Sequence, residues 1–521
     1  MGTGRRRGGP GQAPHVAKLR RVALGPILLS GAAVLAVASG ADADLEPAPL
    51  DEYVRSVDER LPAQMERYDV PGAAAAVVVD GEVAWSAGYG VTDEGTQEPV
   101  TTETVWQAGS ISKSLTAWSV LRLAEDDAID LGAPAQEYLA RWELPSDSFG
   151  PDGVTVERVL SHTAGLPWQI GESRPPERSL SAPELLSGAQ GGEPVRVVEP
   201  PGTAFRYSNP GYTLLELLVE DVTGGDFATV VEAEVLEPLG MDDSAFAWRD
   251  EFAPRATTGY TFDGEPVEAQ RQPPAAAGGL YTTVDDLARF VAASTSGGQG
   301  QPPGRGVLQP ASVEAMQRPV APVEGMPHAL MAEATGLGHF VEDLPDGRRA
   351  VMHGGENEGA LGGFFAVPET GDGVVLLTNS RRSYRLMADH VAAWAEWRGL
   401  GAPAVTRTFD RAQTVLWLTL ALGAAAAWIA WRLVQGLRCG ARRWAPVSRE
   451  AGAARLAQVG LGVLLLILWW GPLSGILPTF FPVLSGYVAA VLSGLGGLLL
   501  LTAATVPTAS ARPAPSQPLG G

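Results

Sequence analysis

Three apolar runs near the C-terminus are each long enough to cross a lipid bilayer as a helix. They lie near residues 414–434, 456–476 and 480–506, and the third is long enough to tilt. None of them contains Asp, Glu or Lys, so a transport pathway through them is not indicated. The sequence therefore predicts a membrane region over residues 401–521, in contact with lipid.

Charge is distributed unevenly along the 521 residues, and this distribution predicts the topology. All 59 acidic residues except Glu450 lie between Asp42 and Asp410, whereas the segment 432–455 between the first two runs carries a series of arginines. Arginine-rich loops stay on the cytoplasmic side of a membrane. We therefore expect a multi-pass protein of the cell membrane with the loop 432–455 in the cytoplasm and the acidic segment outside.

An acidic segment repels phosphates, which argues against nucleic acid as a partner.

The N-terminal residues 1–41 have the layout of an export signal. They contain no acidic residue, and arginines and Lys18 precede an apolar run that ends in small residues. This pattern predicts a signal peptide or, if it is not cleaved, an N-terminal anchor.

Cys439 is the only cysteine, which excludes an internal disulfide framework.

Between these regions, residues 45–400 form the predicted soluble domain. Two strands join at Asp80-Gly81, a strong hairpin signal, and strand patterns recur at 336–344, 348–355, 362–369 and 371–380. The middle, about 102–294, is mostly helical in pattern. We therefore predict an α/β (α+β) fold: an antiparallel sheet built from both ends of the domain and flanked by helices, with an inserted helical subdomain.

A lysine is unusual in this chain, because Lys18 and Lys113 are the only two among 38 basic residues. Lys113 lies on a predicted helix from Ser110 to Ala124, with an apolar stripe formed by Ile111, Leu115, Trp118 and Leu121. Ser110 stands one turn earlier on the same face. A buried lysine can lose its proton and activate a serine hydroxyl, which arginine cannot do. The alternative is a serine helix cap beside a surface lysine.

Two further motifs accompany Ser110-x-x-Lys113, namely Tyr207-Ser208-Asn209 and His353-Gly354-Gly355. In this order the three resemble the serine beta-lactamase and penicillin-binding protein superfamily, within its class C beta-lactamase, D-aminopeptidase and esterase branch. The resemblance covers about residues 54–397. It includes VLSHTAGLPW at 159–168, PLGM at 238–241, AAGGLYTTVDDLARF at 276–290 and GLG at 336–338.

The resemblance implies a role for each motif residue. Ser110 would be the acylated nucleophile, with Lys113 and Tyr207 sharing the removal of its proton and Asn209 holding Lys113 and the substrate amide. A lysine ammonium beside Tyr207 would lower the pKa of the phenol. The strand motif His353, Gly354 and Gly355, with Glu356 after it, would bind substrate. The backbone amides of Ser110 and Glu356 would hold the tetrahedral oxygen.

The strand motif departs from the family pattern, because relatives that recognise anionic beta-lactams usually have lysine where this chain has His353. Histidine is mostly neutral at pH 7, and Glu356 and Glu358 follow it. A substrate carboxylate would therefore bind here more weakly than it does beside a lysine. Arg381 and Arg382 could restore a positive site. The sequence therefore favours, as substrate, an uncharged ester or amide, or a peptide whose carboxylate binds elsewhere.

Several functions remain open from the sequence. The leading one is a membrane-anchored serine hydrolase acting outside the cytoplasm on a small-molecule or peptidoglycan-like ester or amide substrate. The alternatives are a D-Ala carboxypeptidase, a beta-lactamase, and a catalytically silent sensor or assembly protein. No cofactor is expected, and His328, His339 and His390 have no companions at metal-ligand spacing. His162 is expected to hold a loop by hydrogen bonding.

Overall fold

The computed structural model describes residues 48–145, 149–169, 180–189, 192–267, 275–298, 300–324, 328–446, 452–473 and 482–508. The predicted export signal, residues 1–41, lies outside these ranges.

The helices are α1 (Leu50–Tyr68), α2 (Ser112–Glu125), α3 (Val156–Leu160), α4 (Ala182–Leu186), α5 (Asn209–Thr223), α6 (Phe227–Val231), α7 (Ala275–Gly278), α8 (Val284–Ala293), α9 (Pro310–Met316), α10 (Tyr384–Trp397), α11 (Ala404–Arg438), α12 (Ala453–Leu468) and α13 (Pro482–Ala503).

The strands are β1 (Gly72–Val79), β2 (Glu82–Gly90), β3 (Trp106–Gln107), β4 (Gly259–Tyr260), β5 (Pro266–Val267), β6 (Tyr281–Thr282), β7 (Ala321–Pro322), β8 (Ala334–Thr335), β9 (Phe340–Asp343), β10 (Arg349–Asn357), β11 (Ala360–Val367), β12 (Asp372–Thr378), β13 (Arg442–Trp444) and β14 (Thr505–Pro507).

The main sheet has eight antiparallel strands in the order β2-β1-β12-β11-β10-β9-β8-β7. The N-terminal hairpin joins the C-terminal strands where β1 pairs with β12, as Ala73 opposite Thr378 shows. This confirms the predicted sheet built from both ends of the domain. The predicted hairpin turn is also present, since Asp80 and Gly81 both have positive φ.

The sheet is covered on both faces, and β1 shows why its sequence is continuously apolar. Successive strand residues point to opposite faces. Ala74, Ala76 and Val78 enter the apolar cluster that includes α2, α5 and α8. Ala73, Ala75 and Val77 enter a second cluster, which includes α1 and α10. The helices between β3 and β7 form the predicted helical insertion, so the α/β (α+β) fold class is confirmed.

Helix α2 is more deeply buried than its pattern indicates. The apolar residues Ile111, Leu115, Trp118 and Leu121 are buried as expected, but so is every other residue from Ser112 to Leu121. The additional burial arises because α2 packs against α5 and α7 and contributes to the apolar cluster that also contains residues of the main sheet. A 3₁₀ turn, Gly109–Ile111, precedes it.

Three of the described helices are long and apolar enough to cross a membrane by length and composition: Ala404–Arg438, Ala453–Gly471 and Leu484–Ala503. They overlap the three predicted spans, of which residues 474–476 and 480–481 are outside the described ranges. Gly462 and Gly496 face each other closely, and a Cβ at either would lie within 3 Å of the other's carbonyl oxygen. The small residues thus allow α12 and α13 to approach each other.

Helix α11 begins in contact with the main sheet. Its first backbone amide, at Ala404, donates to the buried carboxylate of Glu342 on β9 at 3.2 and 3.0 Å. Arg407 pairs with Glu333 at 2.8 Å, and Val405 and Phe409 belong to the second apolar cluster. A carboxylate at a helix N-terminus is favourable because the free amides there carry partial positive charge. The first candidate membrane helix is therefore docked directly on the sheet.

This docking predicts the effect of changing Glu342. Glu342→Ala leaves the Ala404 amide without its acceptor and is expected to lower the free energy of unfolding by about 1–3 kcal/mol. Glu342→Gln keeps an oxygen acceptor for the Ala404 amide and should lower the free energy of unfolding by less. Thermal unfolding of the full chain in detergent measures both, and equal melting temperatures for Glu342→Ala and the unchanged chain would contradict the docking role.

Candidate active site

Ser110 lies in the 3₁₀ turn before α2, and this turn packs closely against strand β10. Gly109 has φ +54°, and a Cβ there would lie 2.8 Å from the amide nitrogen of Glu356. A Cβ at Gly355 would lie 1.8 Å from the carbonyl oxygen of Ala108 and 3.0 Å from the amide nitrogen of Ser110. Only glycine at both positions allows the turn and the strand to come this close.

Lys113 is fully buried beside Ser110. Its Nζ lies 3.1 Å from Ser110 Oγ and 2.5 Å from the carbonyl oxygen of Ala277, and its side chain has no exposed surface. The rings of Tyr207 and Tyr212 lie about it, at 5.0 and 5.4 Å from Nζ. Burial lowers the pKa of Lys113 well below its usual value. The arrangement favours a neutral amine that can accept the Ser110 proton.

Tyr207 also lies beside Ser110, but the direction of its pKa shift differs from the expectation. Burial raises the pKa of the Tyr207 phenol above its usual value, and a hydrogen bond with Ser110 offsets this only in part. The expectation of a lowered pKa is therefore wrong. It assumed a charged lysine next to the phenol, whereas burial acts on both groups and disfavours the ammonium and the phenolate alike.

Two imidazole rings hold Tyr207 in place. His162 lies 4.3 Å from it between ring centroids at 33°, and His328 lies 4.5 Å away at 19°. The Nδ1 of His162 accepts a hydrogen bond from the Ser208 amide at 3.1 Å, which confirms the expected loop-holding role of this histidine. Burial lowers the pKa of His328 to about 4, so both faces of the tyrosine ring meet neutral imidazole at pH 7.

Asn209 is the first residue of α5, and its backbone amide donates to the carbonyl of Trp168 at 3.0 Å. Among the hydrogen bonds of the described residues, none joins the Asn209 side chain to Lys113. The carbonyl of Ala277 on α7 contacts the amine instead. Sequence reasoning missed this oxygen because every residue has a carbonyl, and the stretch 276–290 was noted only for its resemblance.

Strand β10 supplies the predicted motif from His353 to Glu356. His353 is buried, its Nδ1 lies 2.7 Å from the Gly354 carbonyl oxygen, and burial lowers its pKa to about 3. This confirms the prediction that His353 is neutral. Glu356 stands opposite Leu361 in a hairpin that closes through Asn357 and Ala360.

The same hairpin sets the direction of the Glu356 amide. Opposite residues alternate between exchanging and not exchanging backbone hydrogen bonds, and in a two-residue hairpin the closing pair exchanges them. The N–H of Glu356 therefore faces away from β11, toward the turn Gly109–Ile111. The amide nitrogens of Ser110 and Glu356 thus lie on the same narrow contact between turn and strand, as an oxyanion site requires.

The two arginines expected to restore a positive site are already paired. Arg381 Nε donates to the Glu356 carboxylate at 2.6 Å, and the Tyr384 hydroxyl donates to its other oxygen. Arg382 pairs with Asp69 and donates to the carbonyl of Phe262 at 2.7 Å. Neither arginine therefore offers an unpaired cation to a substrate carboxylate.

Metal chemistry has no visible basis in the described residues, since no group of three or more His, Cys, Asp or Glu side chains there is arranged to hold an ion. What the arrangement offers is a hydroxyl, a neutral amine, a phenol and two backbone amides. This set suits nucleophilic attack on a carbonyl with stabilisation of the oxygen that becomes negative.

Comparisons with known proteins agree with this geometry. A family model described as Beta-lactamase matches residues 57–396. Penicillin-binding protein 4 of Amycolatopsis lactamdurans is 30% identical over 330 residues, which cover 62% of this chain and 84% of the relative. The Beta-lactamase of Pseudomonas fluorescens is 28% identical over 361 residues, 64% of this chain and 96% of the relative. The solved structure of SurE with D-Leu matches with a TM-score of 0.54 at 25% identity, over 68% of this chain and 77% of that one.

The close contact between turn and strand predicts unequal effects of two adjacent glycines. A Cβ at Gly355 would overlap the Ala108 carbonyl, whereas the nearest atom to a Cβ at Gly354 is 3.7 Å away. Gly355→Ala should therefore cost on the order of 1–3 kcal/mol of stability or more, and Gly354→Ala less than about 1 kcal/mol. Thermal unfolding of the two variants compares them directly. Equal melting temperatures would show that the turn and the strand are not in contact.

Proposed function

Since the chain belongs to the Beta-lactamase family, we propose that it is a membrane-anchored serine hydrolase that forms an acyl-enzyme on Ser110. The observation that carries the proposal is the 3.1 Å approach of a fully buried Lys113 amine to Ser110 Oγ. A serine hydroxyl is a weak nucleophile until a base takes its proton. A lysine kept neutral by burial is such a base.

In the proposed acylation, Ser110 Oγ attacks the substrate carbonyl carbon while its proton passes to Lys113 Nζ. The carbonyl oxygen becomes negative between the amides of Ser110 and Glu356, where each donor contributes about 3 kcal/mol. The tetrahedral intermediate then collapses, and the bond to the leaving group breaks. Tyr207, neutral and hydrogen-bonded to Ser110, relays the proton from Lys113 to the leaving oxygen or nitrogen.

Hydrolysis of the acyl-enzyme repeats the same steps with water. A water molecule gives a proton to Lys113 and attacks the ester carbonyl on Ser110. The same two amides stabilise the oxygen, and Ser110 leaves with the proton returned from Lys113. The products are a carboxylic acid and free enzyme, and no oxidant, metal or cofactor takes part in the scheme. We assign Asn209 to the substrate amide, since the amine has the Ala277 carbonyl as its partner.

We propose an uncharged ester or amide as the substrate, or a peptide whose carboxylate binds away from β10. The support is electrostatic: His353 is neutral, and Arg381 and Arg382 are each paired with a carboxylate. Cell-envelope peptides are the favoured natural class, because one relative is a penicillin-binding protein and SurE was solved with a D-amino acid. D-Ala carboxypeptidase and beta-lactamase activity remain the alternatives within the family.

We further propose that α11, α12 and α13 cross the cell membrane and that the active site faces outward. The arginines of the loop 432–455 favour the cytoplasmic side for that loop. Because α11 begins on the sheet at Ala404, the hydrolase domain would sit directly above the membrane. A sensor or assembly protein without turnover is the competing function, and intact Ser110, Lys113 and Tyr207 argue against it.

Covalent labelling tests the proposed function. A fluorophosphonate probe should label the full chain in detergent, and mass spectrometry should locate the adduct on Ser110. Ser110→Ala should abolish labelling, and Lys113→Arg should slow it by about 10²–10⁴-fold because arginine cannot accept a proton at neutral pH. Ser119→Ala, which removes another buried serine of α2, should label normally. An unlabelled wild type, or an adduct on a different serine, would support the sensor function or another site.

Substrate charge gives a second prediction. Glu356→Gln removes the carboxylate that holds Arg381 and frees a cation close to the site. The ratio of kcat/KM for an anionic beta-lactam such as nitrocefin to that for p-nitrophenyl acetate should rise roughly tenfold or more. Taking the ratio cancels any shift of the Glu356 amide that affects both substrates. A ratio equal to that of the wild type would mean that Arg381 does not control charge selectivity.

A further inference from the structure

Glu216 is a buried carboxyl group with no part in the proposed reaction. It lies on α5, two turns after Asn209, and is 8% exposed. Its Oε2 accepts a hydrogen bond from the backbone amide of Ala276 on α7 at 3.0 Å. Burial raises its pKa to about 7. A carboxyl group is seldom buried without a specific partner, and among the described residues the hydrogen-bond partner of Glu216 is the peptide group of Ala276.

The peptide group that Glu216 holds leads directly to the amine of Lys113. Thr116 Oγ1 lies 3.0 Å from both the Ala276 and the Ser112 carbonyl oxygens, so its single proton is shared between them, and Ala276 is contacted at its amide by Glu216 and at its carbonyl by Thr116. The next carbonyl along the chain, that of Ala277, accepts from Lys113 Nζ at 2.5 Å. Two consecutive residues of α7 therefore connect the carboxyl of Glu216 to the candidate base.

The position of the Ala277 oxygen decides where the amine directs its lone pair. A neutral amine has two N–H bonds and one lone pair. When one N–H of the Lys113 amine donates to the Ala277 carbonyl, the amine has fewer orientations available. One of these directs its lone pair toward Ser110 Oγ. After proton transfer the ammonium keeps the same acceptor. A shift of about 1 Å in such a contact can cost on the order of 100-fold in rate.

We propose that Glu216 is a positioning residue for the reaction: by fixing the backbone of α7, it places the Ala277 carbonyl that orients the Lys113 amine toward Ser110. The inference rests on the proposed function, because it assumes that Lys113 is the base. It adds to that function a second layer of residues, Glu216 and Thr116, neither of which touches substrate.

The charges around the two groups indicate that this effect passes through the backbone. Burial is the cause that lowers the pKa of Lys113, and the carboxylates that raise the pKa of Glu216 are Glu220 and Asp226. The titratable groups that face Lys113 are the neutral imidazoles and phenols of His162, His328, His353, Tyr207 and Tyr212. The hydrogen bonds that join Ala276 to Glu216 and Ala277 to Lys113 are therefore the path on which the proposal rests.

The test compares matched variants of the full chain in detergent by the rate of fluorophosphonate labelling as a function of pH. Glu216→Ala should slow labelling by about 10- to 100-fold, and the pH at which the rate falls on the acid side should move upward, because a looser amine is better hydrated. Glu216→Gln keeps the oxygen acceptor and should stay within about threefold of the wild type. Thr116→Val, a nearly isosteric change at the other support of Ala276, should shift both quantities in the direction of Glu216→Ala.

Glu342→Ala is the matched control, because Glu342 is a buried carboxyl that also accepts one backbone amide, at the start of α11. It should lower the melting temperature and leave the pH midpoint of labelling unchanged. If Glu216→Ala lowers only the melting temperature, with the rate and pH midpoint of the wild type, Glu216 is structural and the inference is overturned. A wild type without labelling overturns the proposed function and the inference together.

Discussion

The desolvation of one amine is the constraint on which the rest of the structure depends. Lys113 has no contact with water, and an ammonium placed there would lose hydration that no carboxylate replaces among its contacts. Its neutral form is therefore favoured, and in that form it can take a proton from Ser110 at 3.1 Å. The same burial keeps His353 neutral and Tyr207 protonated. An uncharged site results, in which new charge arises only during a reaction.

The fold builds this dry site by burying α2 from Ser112 to Leu121. Helices α5 and α7 pack on it, and small residues allow the close approach. Helix α7 is composed of Ala and Gly, and Gly355 leaves room for the Ala108 carbonyl. Backbone groups make up much of the candidate site. The carbonyl of Ala277 contacts the amine, and the amides of Ser110 and Glu356 lie on the contact between turn and strand, where we propose that the substrate carbonyl oxygen binds. Side chains such as Glu216, Thr116 and Arg381 hold that backbone in turn.

Sequence reasoning predicted what depends on residue type and spacing. The Ser110 and Lys113 pair, the sheet from both ends, the hairpin at Asp80-Gly81 and the neutral His353 were all accessible in this way. Backbone contacts and long-range pairs were not. Nothing in the sequence distinguishes the Ala277 carbonyl from any other, and Glu356 comes near Arg381 because Leu361 of β11 pairs with Glu356 on one side and with Thr378, at the end of β12, on the other. The direction of the Tyr207 pKa was predicted wrongly because it depends on the burial of both Tyr207 and Lys113, which the spacing of the motifs does not give.

The most direct measurement is the titration of Lys113 itself. The chain has only two lysines, Lys113 and Lys18, so full-length protein labelled with [¹³C]lysine should give two side-chain signals in an NMR titration, and a Lys18→Arg variant assigns them. The account predicts that the Lys113 signal titrates well below the ordinary value of about 10.4 for lysine, while Lys18 titrates close to it. If Lys113 titrates together with Lys18 near that value, the amine is charged at neutral pH and cannot be the base that activates Ser110.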